Sequence, residues 1–507
     1  GGDRMNRRAL LHMLGGAGAA AAIGVPLLDG VRGSGSTGAL LPSRLRLPKP
    51  FQTPLRTPAV LTPVRRDADG DHYEITQRAG TAEILPGVAT RIWGYDGMFP
   101  GPTIVSESGR PTIVRHRNAL PVPVVVHLHG GHTPAGSDGF PTDFLLPAGP
   151  VPAHDHGGAV TQGTRDYIYP MRQPAATLWY HDHRMDFTGP AVWRGLAGFH
   201  LVRDADERSL GLPHGDREIP LMIADRSFDA DGSLLYPGLD PTLLHTPGVT
   251  DAYRGGVLGD VITVNGAAWP VAELPRVRHR LRLLNGSNAR RYRLSLSPPS
   301  AGFVVIGTDG GLLAAPVRRD TLDLAPAQRC DVVVDFAAYA DGQQVTLRNE
   351  FGSGGTSQVM RFLVSGTAGD PSRIPDRLAP EPAFAAPAVT RTLHFGLGAH
   401  HTWTINGHYF DPSRADTTPR LGTTEHWQLT SDFDHPVHLH LGHFEVVSRG
   451  LSGPGPDDLG LRDTIDLRAS EQATIRVAFA DYPGRYVFHC HNLEHEDMAM
   501  MGTMLVT

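Results

Sequence analysis

Four His-x-His pairs dominate the chemistry open to this chain: His127-Leu128-His129, His181-Asp182-His183, His438-Leu439-His440 and His489-Cys490-His491. Alternate residues of a β-strand point to the same face, so each pair presents two imidazoles side by side. A single pair of this kind is more often two surface histidines. Four of them, each beside aromatic or β-branched residues, describe donors gathered for metal, since neutral imidazole binds ions such as copper and zinc well.

Spacing around the last two pairs says more. His435 stands three residues before His438, and Cys490 lies between His489 and His491. Strand parity therefore turns His435 and Cys490 away from the paired histidines. His495 and Met500 follow shortly after. Two histidines, a thiolate and a weak thioether are the donor set of a blue copper electron-transfer site, where the ion changes oxidation state with little rearrangement. Met500 has the best-fitting offset from the cysteine, with Met498, Met501 and Met504 close by. A buried free thiol is the alternative for Cys490; the donors flanking it argue against that. The eight paired histidines match a three-copper cluster, covalently wired to the thiolate through His489 and His491. Four copper ions are expected in all.

Elements able to position such residues are short strands. The chain has 507 residues with 43 prolines and 59 glycines, 40% hydrophobic and 19% charged. Scattered Val/Ile/Thr runs between turn residues favour an all-β chain. Segments such as His72–Thr76, Thr112–His116, Asp260–Val264 and Arg280–Leu284 alternate like strands. Charged stretches and proline-rich stretches divide the chain. Residues 1–45 read as a signal and linker, 46–205 as a first domain, 215–365 as a second and 388–507 as a third, with a proline-rich linker over residues 41–63 leading into the first strands. Three tandem Greek-key β-sandwiches of cupredoxin-like type are the expected fold. A weak repeat supports this. Leu178-Trp179-Tyr180-His181-Asp182-His183 before a glycine-bearing strand is echoed by Tyr486-Val487-Phe488-His489-Cys490-His491. The middle block has no such pair and reads as a spacer.

Net charge is −6, with no long Lys/Arg block for nucleic acid. Arg7-Arg8 before an apolar run from Ala9 to about Leu28 reads as a Tat-type export signal, giving a periplasmic, cell-surface or secreted protein. No later segment is long and apolar enough to span a membrane. A monomer of three domains would suffice.

The motifs HLHGG, HDH, HPxHxH and HCHx3Hx4M together resemble the multicopper oxidases. Segments Gly130–Pro134, Ser137–Gly139, Asp225–Phe228, Asp231–Leu234, Ile306–Gly311 and Leu324–Arg329 are similar to the branch of spore-coat laccases, bilirubin oxidases and o-aminophenol oxidases. The resemblance implies a type 1 copper at His435, Cys490, His495 and Met500, and a type 2 copper at His127 and His438. It implies a type 3 pair at His129, His181, His183, His440, His489 and His491. It also places proton-supplying acids at Asp138 and Glu496, and the ring edge of His495 at the surface. Without it, Asp138 reads as a turn residue in Ser-Asp-Gly and Glu496 as a surface acid.

The implied activity is one-electron oxidation of phenols, aminophenols or aromatic amines coupled to four-electron reduction of dioxygen to water. The expected partners are thus a small aromatic reductant and dioxygen. Two other readings compete. A cuprous-ion oxidase would carry a methionine-rich segment, and only 11 methionines occur here. A copper-free scaffold of the same fold would have lost its donors, and all twelve are present. Other residues take simpler readings. His154, His156, His400 and His401 read as loop residues, His443 as a core residue or one behind the ligands, and Cys330 as a buried free thiol.

Overall fold

The computed structural model describes residues 35–150 and 157–507. The Arg7-Arg8 motif and the pair His154 and His156 lie outside the described residues. The rest is all-β, in three tandem sandwiches, as the strand pattern predicts.

In the first sandwich, Asp71–Ala82, Thr112–Asn118 and Thr164–Tyr169 belong to a half-exposed sheet. Thr112–Asn118 alternates strictly between buried and more accessible positions, as a strand with one wet face must. The facing sheet runs in the order Gly101–Glu107, Ala197–Arg203, Ala176–Asp182, Val126–His129. Every residue of Ala176–Asp182 is buried, because other parts of the chain cover both faces. The middle sandwich pairs a seven-stranded with a five-stranded sheet, its strands running from Glu218 to Val364. The third pairs a five-stranded sheet with a four-stranded one ordered Thr464–Leu467, His435–Leu439, Gly484–Cys490, Met501–Val506.

The sequence repeat is therefore structural. In each outer sandwich two histidine-bearing strands lie antiparallel and adjacent, and the second is backed by the glycine-bearing strand. Parallel pairings between strands distant in sequence, such as Asp71–Gln77 with Thr112–Asn118, mark Greek-key connections.

Composition alone marks residues 41–63 as a linker, yet the segment is fastened down. Ala39–Leu41 pairs in parallel with Val257–Gly259, and the Phe51 and Leu55 amides donate to the Trp269 and Val271 carbonyls. Just upstream, the Thr37 hydroxyl donates to the Asp434 carbonyl of the third sandwich. One apolar cluster runs from Trp179 and Phe199 of the first sandwich into Ile262, Leu283 and Val332 of the second. Each such side chain contributes about 1.5–3 kcal/mol by burial, so the first two sandwiches form one packed unit.

Candidate metal centre

Strand register brings the pairs together. His181 lies directly across from His127 and Trp179 from His129, so all four histidines of the first sandwich share a face. In the third, His438 lies across from His489, and Val437 across from Cys490. Cys490 therefore shares the Val437 face, and His435 has the same parity as Val437. The two outer sandwiches set their histidine faces against each other.

Eight imidazoles converge there, all buried. Nε2 of His183 and Nε2 of His489 are 3.1 Å apart, those of His440 and His489 3.2 Å, and those of His127 and His438 3.3 Å. Nδ1 of His129 is 3.4 Å from Nε2 of His181. His491 stands between, its ring 5.1 Å from that of His129 and 5.3 Å from that of His181, with neither nitrogen hydrogen-bonded.

The outward nitrogens fix the tautomers. Nδ1 of His127 donates to the Asp138 carbonyl at 2.6 Å, that of His438 to the Asp463 carbonyl at 2.8 Å, and that of His181 to the Asp182 carbonyl at 2.8 Å. Nδ1 of His489 donates to the Cys490 carbonyl at 3.0 Å. A ring that donates outward keeps a bare lone pair inward. Burial, reinforced by neighbouring rings, drives protons off most of the rings in the cluster. His127, His440 and His491 fall well below the usual imidazole range, His181 to about 3 and His183 to about 4. Lone pairs facing each other at such distances, with no proton between them, repel unless a cation sits among them. The donor set thus fits soft or borderline metal ions bound by nitrogen, copper among them.

Two acids flank the cluster. Asp138 ends a single helical turn, Ala135–Asp138, closed by Gly139 at φ 85°. Its Oδ2 is 2.7 Å from Nδ1 of His440, and burial pushes its carboxyl well above the usual range. Glu496 reaches His183 Nδ1 at 3.4 Å and His489 Nδ1 at 3.2 Å. Burial opposes its ionisation, but the His489 and His183 rings outweigh that and hold it low. Both acids are buried, so Glu496 is no surface residue and Asp138 is more than a turn former.

The second constellation is smaller. Cys490 Sγ lies 3.4 Å from His435 Nδ1 and 3.5 Å from His495 Nδ1, and those nitrogens are 3.2 Å apart. Met500 packs in the same apolar cluster, and its carbonyl accepts the Cys490 amide. Burial pushes the Cys490 thiol well up, a cost that a bound cation offsets by taking the thiolate. The resemblance puts the His495 ring edge at the surface, but here the ring is fully buried. Its Nε2 donates to the Gly255 carbonyl at 3.1 Å, and Trp403 stacks on it with ring centres 3.8 Å apart.

Among the described residues, the groups behind the ligands carry no motif of their own in the sequence. Asp463 accepts from His129 Nε2 at 2.9 Å and is gripped by Arg329, beside Asp309. Arg329 and Asp309 stood in segments already noted as family-like, which was the only signal. His443 sits behind the ligands, 3.9 Å from Asp463, while His400 and His401 are exposed. Cys330 is buried and unpaired, as expected. A cavity of about 710 Å³, lined by Trp93, Trp193 and Tyr236, lies away from both centres. Tyr236 nonetheless donates to Glu494, the residue before His495.

Models of the multicopper oxidase family match residues 76–207, 242–360 and 384–507. The chain belongs to the multicopper oxidases. It is 36% identical to a laccase of Bacillus subtilis, over 90% of this chain and 98% of that one. It is 34% identical to a bilirubin oxidase of Albifimbria verrucaria, over 90% and 81%. The crystal structure of a laccase from Pediococcus acidilactici superposes with a TM-score of 0.79 at 32% identity, covering 92% of this chain and 96% of that one. The multicopper oxidase described here is thus an oxidoreductase that uses copper and dioxygen.

Proposed function

We propose that this multicopper oxidase is laccase-like, taking single electrons from phenols, aminophenols or aromatic amines. The observation that carries the reading is the separation of a thiolate centre from an eight-imidazole centre, joined through Cys490 and its two neighbours. Bound copper supplies one-electron chemistry at the first centre and dioxygen reduction at the second. His435, Cys490, His495 and Met500 would hold type 1 copper, and His127 and His438 type 2. His129, His181, His183, His440, His489 and His491 would hold the type 3 pair. Asp138 sets Oδ2 against His440 Nδ1 and leaves Oδ1 without a hydrogen bond, and Glu496 sets one oxygen against His183 and the other against His489, which suits both to deliver the protons that water formation consumes.

With His495 covered, an aromatic donor hands its electron over at the shell formed by Trp403 and the Arg254-Gly255 backbone. Cuprous ion is a poorer fit. Met500, Met501 and Met504 are buried, and of the described methionines Met98 is the exposed one. Both centres are complete within one chain, which supports a working monomer. The twin arginine supports export through a Tat-type route to the periplasm, cell surface or medium; no helix of the described residues is long and apolar enough to cross a membrane.

Oxygen uptake with a phenol, an aminophenol, bilirubin and cuprous ion tests the donor class. Turnover is expected with the aromatic donors. Uptake with cuprous ion alone would overturn the laccase-like reading.

A further inference from the structure

Arg329, on the middle sandwich, is fully buried with all five N–H donors placed. Nε donates to the Thr177 carbonyl at 2.9 Å. Nη1 donates to the Ala327 carbonyl and to Asp463 Oδ1, both at 2.9 Å. Nη2 donates to Asp463 Oδ2 at 2.5 Å and to the Asp309 carbonyl at 3.2 Å. Three sandwiches meet on this side chain. Thr177 lies on the strand that carries His181, and Asp463 immediately precedes the edge strand Thr464–Leu467 of the third sandwich.

Asp463 passes the grip on. Its Oδ1 accepts from His129 Nε2 at 2.9 Å and from the Thr464 hydroxyl at 2.9 Å, and its carbonyl accepts from His438 Nδ1 at 2.8 Å. Asp309 closes the frame, accepting the Arg329 amide at 2.7 Å and the Asp463 amide at 3.2 Å. The backbone is shaped around the guanidinium. Gly130, one residue past His129, has φ 88°, and a Cβ there would stand 2.5 Å from Arg329 Nη2.

We propose that Arg329 is a positioning residue of the histidine cluster, so that the sandwich without ligands sets the cluster's geometry through Asp463. The inference rests on reading that cluster as the three-copper centre. His129 differs from most of its neighbours in turning Nδ1 inward, 3.4 Å from His181 Nε2, because its Nε2–H is held by Asp463. A planar fork pins both carboxylate oxygens and so fixes the plane from which His129 is held. Lysine, a point charge on a flexible stem, pins one oxygen at a time. Released, Asp463 can rotate, and His129 can turn over to present the other nitrogen.

The test compares the copper-loaded parent with Arg329→Lys and Arg329→Met, reading copper retained against a chelator, the thiolate absorption band and the copper EPR spectrum. Loss of a group behind the ligands is expected to weaken copper retention at the cluster by roughly 10–100-fold, more for Met than for Lys. The EPR signal of the copper held by His127 and His438 should shift. The thiolate band, built on residues remote from Arg329, should not move in either variant. A residue that merely stabilised the fold would leave the EPR signal as it is in every folded variant. If Arg329→Met does not fold, Arg329→Lys decides by the same readings. Parent-like retention and EPR in the folded variant would overturn the proposal alone. A parent holding no copper beyond the thiolate centre would overturn the cluster reading beneath it.

Discussion

Where the first and middle sandwiches meet, Arg203, Arg280 and Arg282 face Glu207, Glu218 and Asp331; where the first and third meet, eight imidazoles face one another. In the first cluster every charge has an opposite. Arg280 reaches Glu207 at 2.7 Å and Asp331 at 2.6 Å, Arg282 reaches Glu207 at 2.9 Å and Asp331 at 3.2 Å, and Arg203 reaches Glu218 at 2.7 Å. Arg282 also bonds Glu218 directly. In the second cluster acceptors confront acceptors, and hydrogen bonds reach only some of the outward nitrogens, those of His183 and His491 being left without one. Charge pairing makes the first complete in the bare chain. The second becomes complete only with cations among the rings, so the first cluster offsets its own burial cost by pairing and the other waits for metal. Thr177 links the two indirectly, its hydroxyl bonded to Asp331 and Arg282 and its carbonyl to Arg329, which holds Asp463 behind His129.

The sharpest break between the two is chemical. Cys490→Ser should abolish the blue absorption and oxidase activity while leaving circular dichroism in place; a blue, active variant would contradict the thiolate centre. Next in size is Arg282→Met, which takes one cationic partner from each of three buried carboxylates. It should cost about 3–5 kcal/mol of stability, read by denaturant unfolding, with the blue band unchanged in the folded fraction. Copper removal is the reverse experiment. At a hundredfold excess over the dissociation constant, a bound ion stabilises by about 2.7 kcal/mol, so stripping copper should lower Tm by roughly 5–10 °C. An unchanged Tm would mean the imidazole cluster is already content without metal.

The smallest effect is the acid dependence. Burial works against ionisation of Glu218 and Asp331, but Arg282 and Arg280 outweigh it and hold both carboxyls below their ordinary range. Their contribution is therefore present above about pH 4 and is lost as pH falls through the lowered values. Glu218→Gln should show a shallower fall of Tm between neutral and acid pH than the parent. Equal slopes would remove the charge-pair account.

The legibility of the chain follows the same division. Metal donors announce themselves because few other uses call for His-x-His on four strands, and strand parity then separates Cys490 and His435 from the rest without coordinates. The sandwiches were readable from alternation in segments such as Thr112–Asn118. What stayed hidden depends on packing between sandwiches. Arg282 and Arg329 sit in buried strands where nothing local reveals their partners, which lie far away in sequence. Residues 41–63 look like a linker by composition, since backbone pairing with a distant strand leaves no mark on the residues used. The covering of His495 came from a turn at Arg254-Gly255 and from Trp403, neither of which carries a motif.

This chain gathers one thiolate centre and one separate imidazole centre, both with donor sets that fit copper. Native mass spectrometry of the copper-loaded protein counts the ions directly. Four per chain in the parent and three in Cys490→Ser is the predicted result. A parent that holds a single ion, or a Cys490→Ser chain that still holds four, would contradict it.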